Sequence, residues 1–568
     1  MSAIIKYTFI LIIFIALVFA YFFFTPLGNQ RIYGSIGSML SEETGLDVKV
    51  ESLNIFDYPY LEADMLVEGK YNLNVKGHHE DDTLDMDYRL TSNCLETDVC
   101  SIDDQIDVTG ELRGPLDDVH VTGKGKALDG NVSYLMTKKK DQFKDLKLTM
   151  YDINSSKLFA LLGKPPVFKG KADANISFDH IGEESKKGTV VYEIRNENIS
   201  GILASIYAKV DVIDTNHTFM MNLTAPDMIL TLNEGSFDEE KEYAHAFYTL
   251  DIKELSSFEK LTKRKFTGPF SAFGEMTYDK HFMLNGLSKS LGGLLDFNYQ
   301  KERVQLYLDQ VPSQNIIQRL SMTPIIDTTI TGNVAHDLVT KTTKVKTKLQ
   351  NLQILPSELL EKLSEKSGMD LSKEVFDSSS VDIVYKEDMI TGDIHLANSQ
   401  NHLLLNDTKI NLSKNSIDTT LDLKTEKHQV TGETYLASLD DATPMQRSQQ
   451  DLYLRFDGTY NRHYNVQLNG LINENWVNMD YALQAGRLPS HIVTIEDDVN
   501  LSGHINGAFS QLQISGKGEA MNGTVAFHGT KVGESVENLS VSMNDIHALK
   551  LSTLLGQNTF PHGRADLK

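Results

Sequence analysis

Two cysteines, Cys94 and Cys100, stand in the stretch NCLETDVC with five residues between them. Thiols so placed between strand-like segments can pair across a turn in an oxidising compartment, which would add about 2–3 kcal/mol in the loop-entropy view. Two free thiols are the alternative, and a metal site is the weaker reading because the spacing is not C-x2-C and no second pair exists. GHHEDD gathers His78, His79, Glu80, Asp81 and Asp82, side chains that ligate divalent cations. Neighbouring residues of a strand point to opposite faces, so this run reads as a solvated turn between KYNLNVK and TLDMDYRL rather than a chelate. EDD (Glu496–Asp498) reads as an exposed sheet edge, where charge opposes edge-to-edge aggregation. GSIGS (Gly34–Ser38) lacks the G-x-S-x-G order of a nucleophile elbow, and neither a phosphate loop nor a zinc spacing occurs. These clusters form no reactive constellation, and the expectation is a protein that is not an enzyme, with no cofactor and no metal.

The elements around those residues must then carry the function. At 568 residues the chain exceeds one compact core and calls for several domains or one elongated repetitive body. A formal net charge of −24 repels phosphate backbones, which excludes nucleic acid as a partner. One segment has no charge at all: Tyr7–Phe24, whose 18 residues at about 1.5 Å each approach a ~30 Å hydrocarbon core. It exceeds the usual h-region of a signal peptide and no A-x-A site follows it, so a retained signal anchor is expected. Lys6 lies before it and acids dominate after it, which orients the N-terminus to the cytoplasm and the bulk of the chain outside it.

The rest of the chain repeats itself. GKGKALDGNVSY (Gly123–Tyr134) returns as GKGEAMNGTVAF (Gly516–Phe527), and the offset of 393 holds without a gap from Ile102/Ile495 through Asp173/Asp566. Matched glycines mark turns, and between them apolar residues alternate: Leu146, Leu148 and Met150 share one face, Lys147, Thr149 and Tyr151 the other. A second motif closes each copy, DINSSKLFALLG (Asp152–Gly163) and DIHALKLSTLLG (Asp545–Gly556), echoed by DIKELSSFEKL (Asp251–Leu261) and more weakly from Leu308. Each predicts a strand end, a short helix with one apolar side, a turn and a new strand. One further helix is expected at PSELLEKLSEKSG (Pro356–Gly368), and Trp476 reads as core. At on the order of 13 residues per strand the chain supplies about 40 strands, very roughly 190 Å of sheet at ~4.8 Å spacing. The fold class is mainly β, built by stacking units that cannot bury their apolar faces alone. A run of β-sandwiches would show the same period of two.

With its N-terminal anchor, the amphipathic IYGSIGSMLSEETGLDVKVESLNI (Ile32–Ile55), DYPYLEADMLVEG (Asp57–Gly69), the VTGELRGPLDDVHVTGKG style (Val108–Gly125) and the DI-x-x-x-x-L-x-x-LL-G units, the chain resembles the AsmA-like family of Gram-negative envelope proteins, the TamB and YhdP group. That family is distantly similar to chorein-type bridge-like lipid-transfer proteins. The resemblance spans essentially the whole chain. It implies an inner-membrane anchor (1–27), an N-terminal groove start (28–60) and a repeating, taco-like β-groove (61–568) with a few short helices, conducting phospholipid toward the outer membrane. An outer-membrane or periplasmic protein partner is implied at the far end. The second copy of the duplication stops at Lys568, which reads as a fragment. Groove-floor candidates, by alternation and absence of charge, are Leu146, Leu148, Met150, Val304, Leu306, Leu308, Ile410, Leu412, Ile417, Leu421 and Leu423; each serves equally well as ordinary core. The rival function is structural, an envelope stalk or a scaffold for outer-membrane protein assembly.

Overall fold

The structure, a computed structural model, describes residues 37–568 except 39–40, 43–45, 55–57, 98–99, 116, 140–141, 162, 164–168, 183–184, 200–201, 357–371, 427, 439–450, 474, 490–493, 534 and 558–561. The expected anchor Tyr7–Phe24 and the expected helix at Pro356–Gly368, after its first residue, lie outside the described residues. Among the described residues, no helix is long and apolar enough to cross a membrane.

Alternating apolar and polar residues give strands, and the chain is mainly β, as its pattern predicts. It divides into two compact units, Met1–Ser288 and Lys289–Lys568. Among the described residues of the first, sixteen strands run from β1 (Val48–Asn54) to β16 (His281–Ser288), each paired antiparallel with its chain neighbours. The described residues of the second hold eighteen, from β17 (Leu294–Gln300) to β34 (Arg564–Leu567), in the same meander; β20 (Thr342–Ile354) takes both the short β21 (Val375–Phe376) and β22 (Ser378–Lys386) along one side. Local chemistry explains the simplicity. Tight hairpins turn on two successive residues in the left-handed region, as at Asp81–Asp82, Leu128–Asp129, Glu387–Asp388 and Met521–Asn522, whose backbone twist matches that of the flanking strands.

Single left-handed residues do something else. Asp152, Glu234, Gln310, Asp407 and Asp545 each sit where the register slips, and the extra residue of the bulge reverses which side chains face inward. Asp152 thereby turns Ile153 into the core, and Asp545 does the same for Ile546; both are fully buried.

Short helices interrupt the strands where the repeated motif lies: α1 (Ser155–Leu161), α2 (Glu259–Thr262) after a 3-10 turn at Leu255–Phe258, α3 (Ser313–Arg319) and α4 (Ala548–Leu554). Three of these insertions close in the same way. The amides of Ser155, Leu255 and Ala548 donate to the carbonyls of Gly170, Gly268 and Gly563, tying the start of the insertion to the start of the next strand.

The duplication reaches further back than its gap-free sequence match. The bulge between Ser92 and Cys94, in the pair β4 (Thr83–Thr97) and β5 (Cys100–Pro115), recurs between Ala485 and Arg487 in the pair β29 (Trp476–Pro489) and β30 (Thr494–Ala508), at the same offset of 393. Trp476, read as core, is half-buried and shares its face with Asn478 and Asp480, because Val477 and Met479 are the residues of β29 that turn inward.

Candidate functional site

The second unit carries a mostly apolar, uncharged row. In register from strand to strand it runs Leu295, Leu308, Gly332, Thr347, Val381, Ile394 and Leu405, then Leu421, Gly432, Gly458, Val466, Leu483, Leu501, Gly518, Val525 and Met543. No charged residue stands in it. Aliphatic neighbours lie in register beside the row, among them Leu306, Ile383 and Leu468, and most of these side chains are half-buried rather than sealed. The opposite face is polar: Asp418 and Lys424 on β25 (Ser416–Lys424), Arg455 and Asp457 on the next strand but one, and Asn465, Gln467 and Asn469 beyond it are exposed. A sheet with one half-open apolar face and one charged face can hold hydrocarbon on the first while water wets the second.

Of the predicted floor residues, Val304, Leu306 and Leu308 share one face of β18 (Arg303–Pro312), with Leu308 buried and the other two half-buried. Ile410 of β24 (His402–Asn411) opposes Ile417 of β25, and Leu421 and Leu423 oppose Leu405 and Leu403. Leu412 is corrected. The strand ends at Asn411, whose side chain accepts from the Lys414 amide (2.9 Å) and the Ser413 hydroxyl (2.8 Å), and so bends the chain; Leu412 lies in that turn, 47% exposed.

Leu146, Leu148 and Met150 of β8 (Gln142–Asn154) do share a face, but that face is closed by protein. Leu146 is fully buried, Met150 nearly so, and Leu148 packs against the same cluster, which runs from Val48 to Val212. Helix α1 helps to cover it: Leu158 and Leu161 pack onto the cluster, and Lys157 reaches the buried Asp104 at 2.8 Å and Asp129 at 2.7 Å. Asp104 also accepts from the Leu128 amide at 2.6 Å. The second copy repeats the arrangement. Lys550 of α4 meets the buried Asp497 at 2.5 Å, the Met521 amide donates to the same carboxylate, and Asn522 replaces Asp129. Asp497 is therefore not an edge charge: only Glu496 and Asp498 point outward.

Polar residues that alternation missed stand in the floor itself. Thr408 and Thr419 are buried, their hydroxyls 2.8 Å apart, and Thr434 follows Thr419 in register on β26 (Gln429–Ser438). The bulge at Asp407 turns Thr408 inward, and a period-two reading has no means of locating such a bulge.

Cys94 is a half-buried free thiol. The β4–β5 ladder sets Cys94 opposite Asp103 and Cys100 opposite Thr97, so the cysteines stand three rungs apart, about 10 Å along the strands and beyond the ~7 Å Cα limit for a bridge. The expected disulfide is thus absent from this hairpin. In GHHEDD the turn is Asp81–Asp82, while His79 is buried within a strand that ends at Glu80. Among the described residues, no three His, Cys, Asp or Glu side chains gather to hold a metal ion.

Apart from the buried Asp104 and Asp497, charge pairs are found on the outer face. Arg89 holds Asp107 through two bonds of 2.9 and 2.8 Å, and this partner holds the Asp107 carboxyl below its ordinary range. Arg113 gathers Asp85, Asp87 and Glu111. Inside, burial pushes the phenols of Tyr71 and Tyr248 up to about 12.

No protein-family model matches this chain, and no curated protein resembles it closely enough to be counted a relative.

Proposed function

We propose that the chain is a lipid conduit of a bacterial envelope, anchored in the inner membrane by Tyr7–Phe24 with its bulk in the periplasm, moving phospholipid toward the outer membrane along an apolar sheet face. The observation that carries the reading is the uncharged row from Leu295 to Met543, flanked by half-buried aliphatic side chains. Hydrocarbon exposed to water costs about 25 cal/mol per Å², or ~0.8 kcal/mol for each CH2, so desolvation of the acyl chains dominates the barrier to crossing an aqueous space. A continuous uncharged, mostly apolar floor lowers that cost without any bond being made or broken. Headgroups remain in water beside the groove, which asks for no specific polar pocket. The terminal membrane contact, or an outer-membrane or periplasmic partner, would receive the lipid.

The test is transfer of a fluorescent phospholipid between two vesicle populations by the full chain. Leu306→Glu and Leu421→Glu abolish transfer while far-ultraviolet circular dichroism is unchanged, and the outward change Gln305→Glu leaves transfer intact. If both inward variants transfer at the unsubstituted rate, the conduit reading fails.

The enclosed core of the first unit favours a second reading, an envelope stalk or assembly scaffold, in which the sheet serves as a spacer. A chain that assembles normally but never transfers lipid would support it.

A further inference from the structure

The inward face of the first unit changes character along the chain. Val67, Val121, Met136, Leu146, Ile153 and Ile194 lie on that face, and each is fully or almost fully removed from solvent. A single sheet face left open to water, or to lipid, would keep part of each side chain accessible; zero exposure means that protein atoms already occupy the far side. They do: these residues belong to one continuous cluster whose members run from β1 to β11 (Ile202–Ile213). Helix α1 lies over the cluster and is fastened by the Lys157–Asp104 contact, one partner of which is fully buried.

Beyond β11 the seal becomes patchy: Leu232, Ala246 and Tyr248 are still buried, while other inward side chains are partly open. On β12 (Asn216–Ala225) the inward residues Phe219, Met221 and Leu223 are half-buried, Met221 and Leu223 still packing on the edge of the cluster, while His217 and Ala225 at the two ends are buried. At the last hairpin of the unit Tyr278 and Phe282 face each other in register on the same side, 46% and 44% exposed. Two large aromatic residues at the inward position with nearly half their surface exposed contrast with Met136 at 0%. In the second unit, taken by itself, Leu306 and Leu421 are half-buried.

We infer that strands β1 to β11 carry no lipid, and that acyl chains load sideways onto the open face at or beyond β12 instead of threading from the first strand. The inference rests on the conduit reading and locates its loading point. An acyl chain inserted among β1–β11 would have to displace packed side chains, whereas at Phe219, Tyr278 and Phe282 it covers surface that is otherwise wet. The same pattern gives the sealed section a mechanical role: its core holds the sheet's shape where no lipid is present to support it.

The experiment leaves the protein unaltered. The full chain is reconstituted in phosphatidylethanolamine–phosphatidylglycerol vesicles doped with phosphatidylcholine that carries a diazirine in its acyl chain, irradiated, digested and mapped by mass spectrometry, with adducts in 1–47 set aside as membrane contacts. The expected result is adducts on inward residues from Phe219 onward, including Tyr278, Leu306 and Leu421, and their complete loss at Val67, Val121, Met136 and Leu146. Adducts on those four residues in the yield found at Leu421 overturn the inference while leaving the conduit standing. Adducts on neither group remove the conduit, and the loading point with it.

Discussion

Tyr88 and Tyr481, 393 residues apart, make the same contact: the first donates its hydroxyl to the Thr122 carbonyl at 3.0 Å, the second to the Ser515 carbonyl at 3.2 Å. Each phenol lies across two glycines of neighbouring strands, Gly110 and Gly123 in one copy, Gly503 and Gly516 in the other. The glycines are required by close approach. A Cβ on Gly110 would fall 1.9 Å from the Thr122 carbonyl oxygen and 2.4 Å from the Tyr88 hydroxyl, and one on Gly503 would fall 1.9 Å from the Ser515 carbonyl oxygen. Gly110→Ala and Gly503→Ala are predicted to cost about 3 kcal/mol each, the upper range for overpacking. Tyr134→Phe, which installs the residue type of the second copy (Phe527), removes only a hydrogen bond donated to Tyr88 and is predicted to cost about 1 kcal/mol. Denaturant unfolding of the three variants distinguishes the two sizes of effect.

The clasp between helix and sheet gives the second prediction. Asp497→Asn leaves the Lys550 ammonium beside a neutral amide, and because Asp497 is fully buried while Lys550 is partly exposed, the loss is predicted at about 2–3 kcal/mol, somewhat below that of a wholly buried pair. It is predicted to appear as faster amide hydrogen exchange in Ala548–Leu554, and Asp104→Asn is predicted to do the same in Ser155–Leu161. Arg89→Met breaks a bidentate but exposed outer-face pair and is predicted to leave exchange unchanged.

Buried phenols set an alkaline limit. Burial raises the Tyr88 and Tyr134 hydroxyls above the ordinary tyrosine value, and holds those of Tyr71 and Tyr248 at about 12. A raised folded-state value means that the folded form keeps its proton longer than the unfolded chain, which ionises near pH ~10. The stabilisation is therefore whole below about pH 10 and is lost as pH rises toward 12. In an ultraviolet titration the exposed tyrosines ionise first. The buried ones are predicted to follow in step with unfolding of the first unit; early, full ionisation without loss of structure would contradict their placement.

The turn at Leu412 separates a pattern in the sequence from a position in the floor. Leu412→Lys is predicted to change stability by less than about 0.5 kcal/mol and to leave lipid transfer intact, since the side chain is already in solvent. Leu421→Lys, at an inward position between Leu405 and Gly432, is predicted to stop transfer.

Alternation alone makes much of this legible in the sequence. Leu306, Leu421 and Leu423 face inward because a strand has a period of two, and α1 and α4 fall where the repeated DI motif places them. What escaped is whatever breaks the period or depends on distant partners. The bulge at Asp407 turned Thr408 inward, and the side chain of Asn411 ended a strand one residue before Leu412. Asp497 looked like an edge charge because its partner, Lys550, lies 53 residues away on a helix. Whether an apolar face is sealed or open is also invisible to period. Leu146 and Leu421 have the same local pattern, yet the first is enclosed by side chains from β1 to β11 and the second is half-exposed.

The most direct measurement places a photo-reactive amino acid, in living cells, at Leu421 on the inward face and at Asp418 on the outward face of the same strand, and asks which captures phospholipid. Lipid adducts are expected at Leu421 and none at Asp418. Capture at both positions, or at neither, would contradict a one-sided lipid-bearing floor.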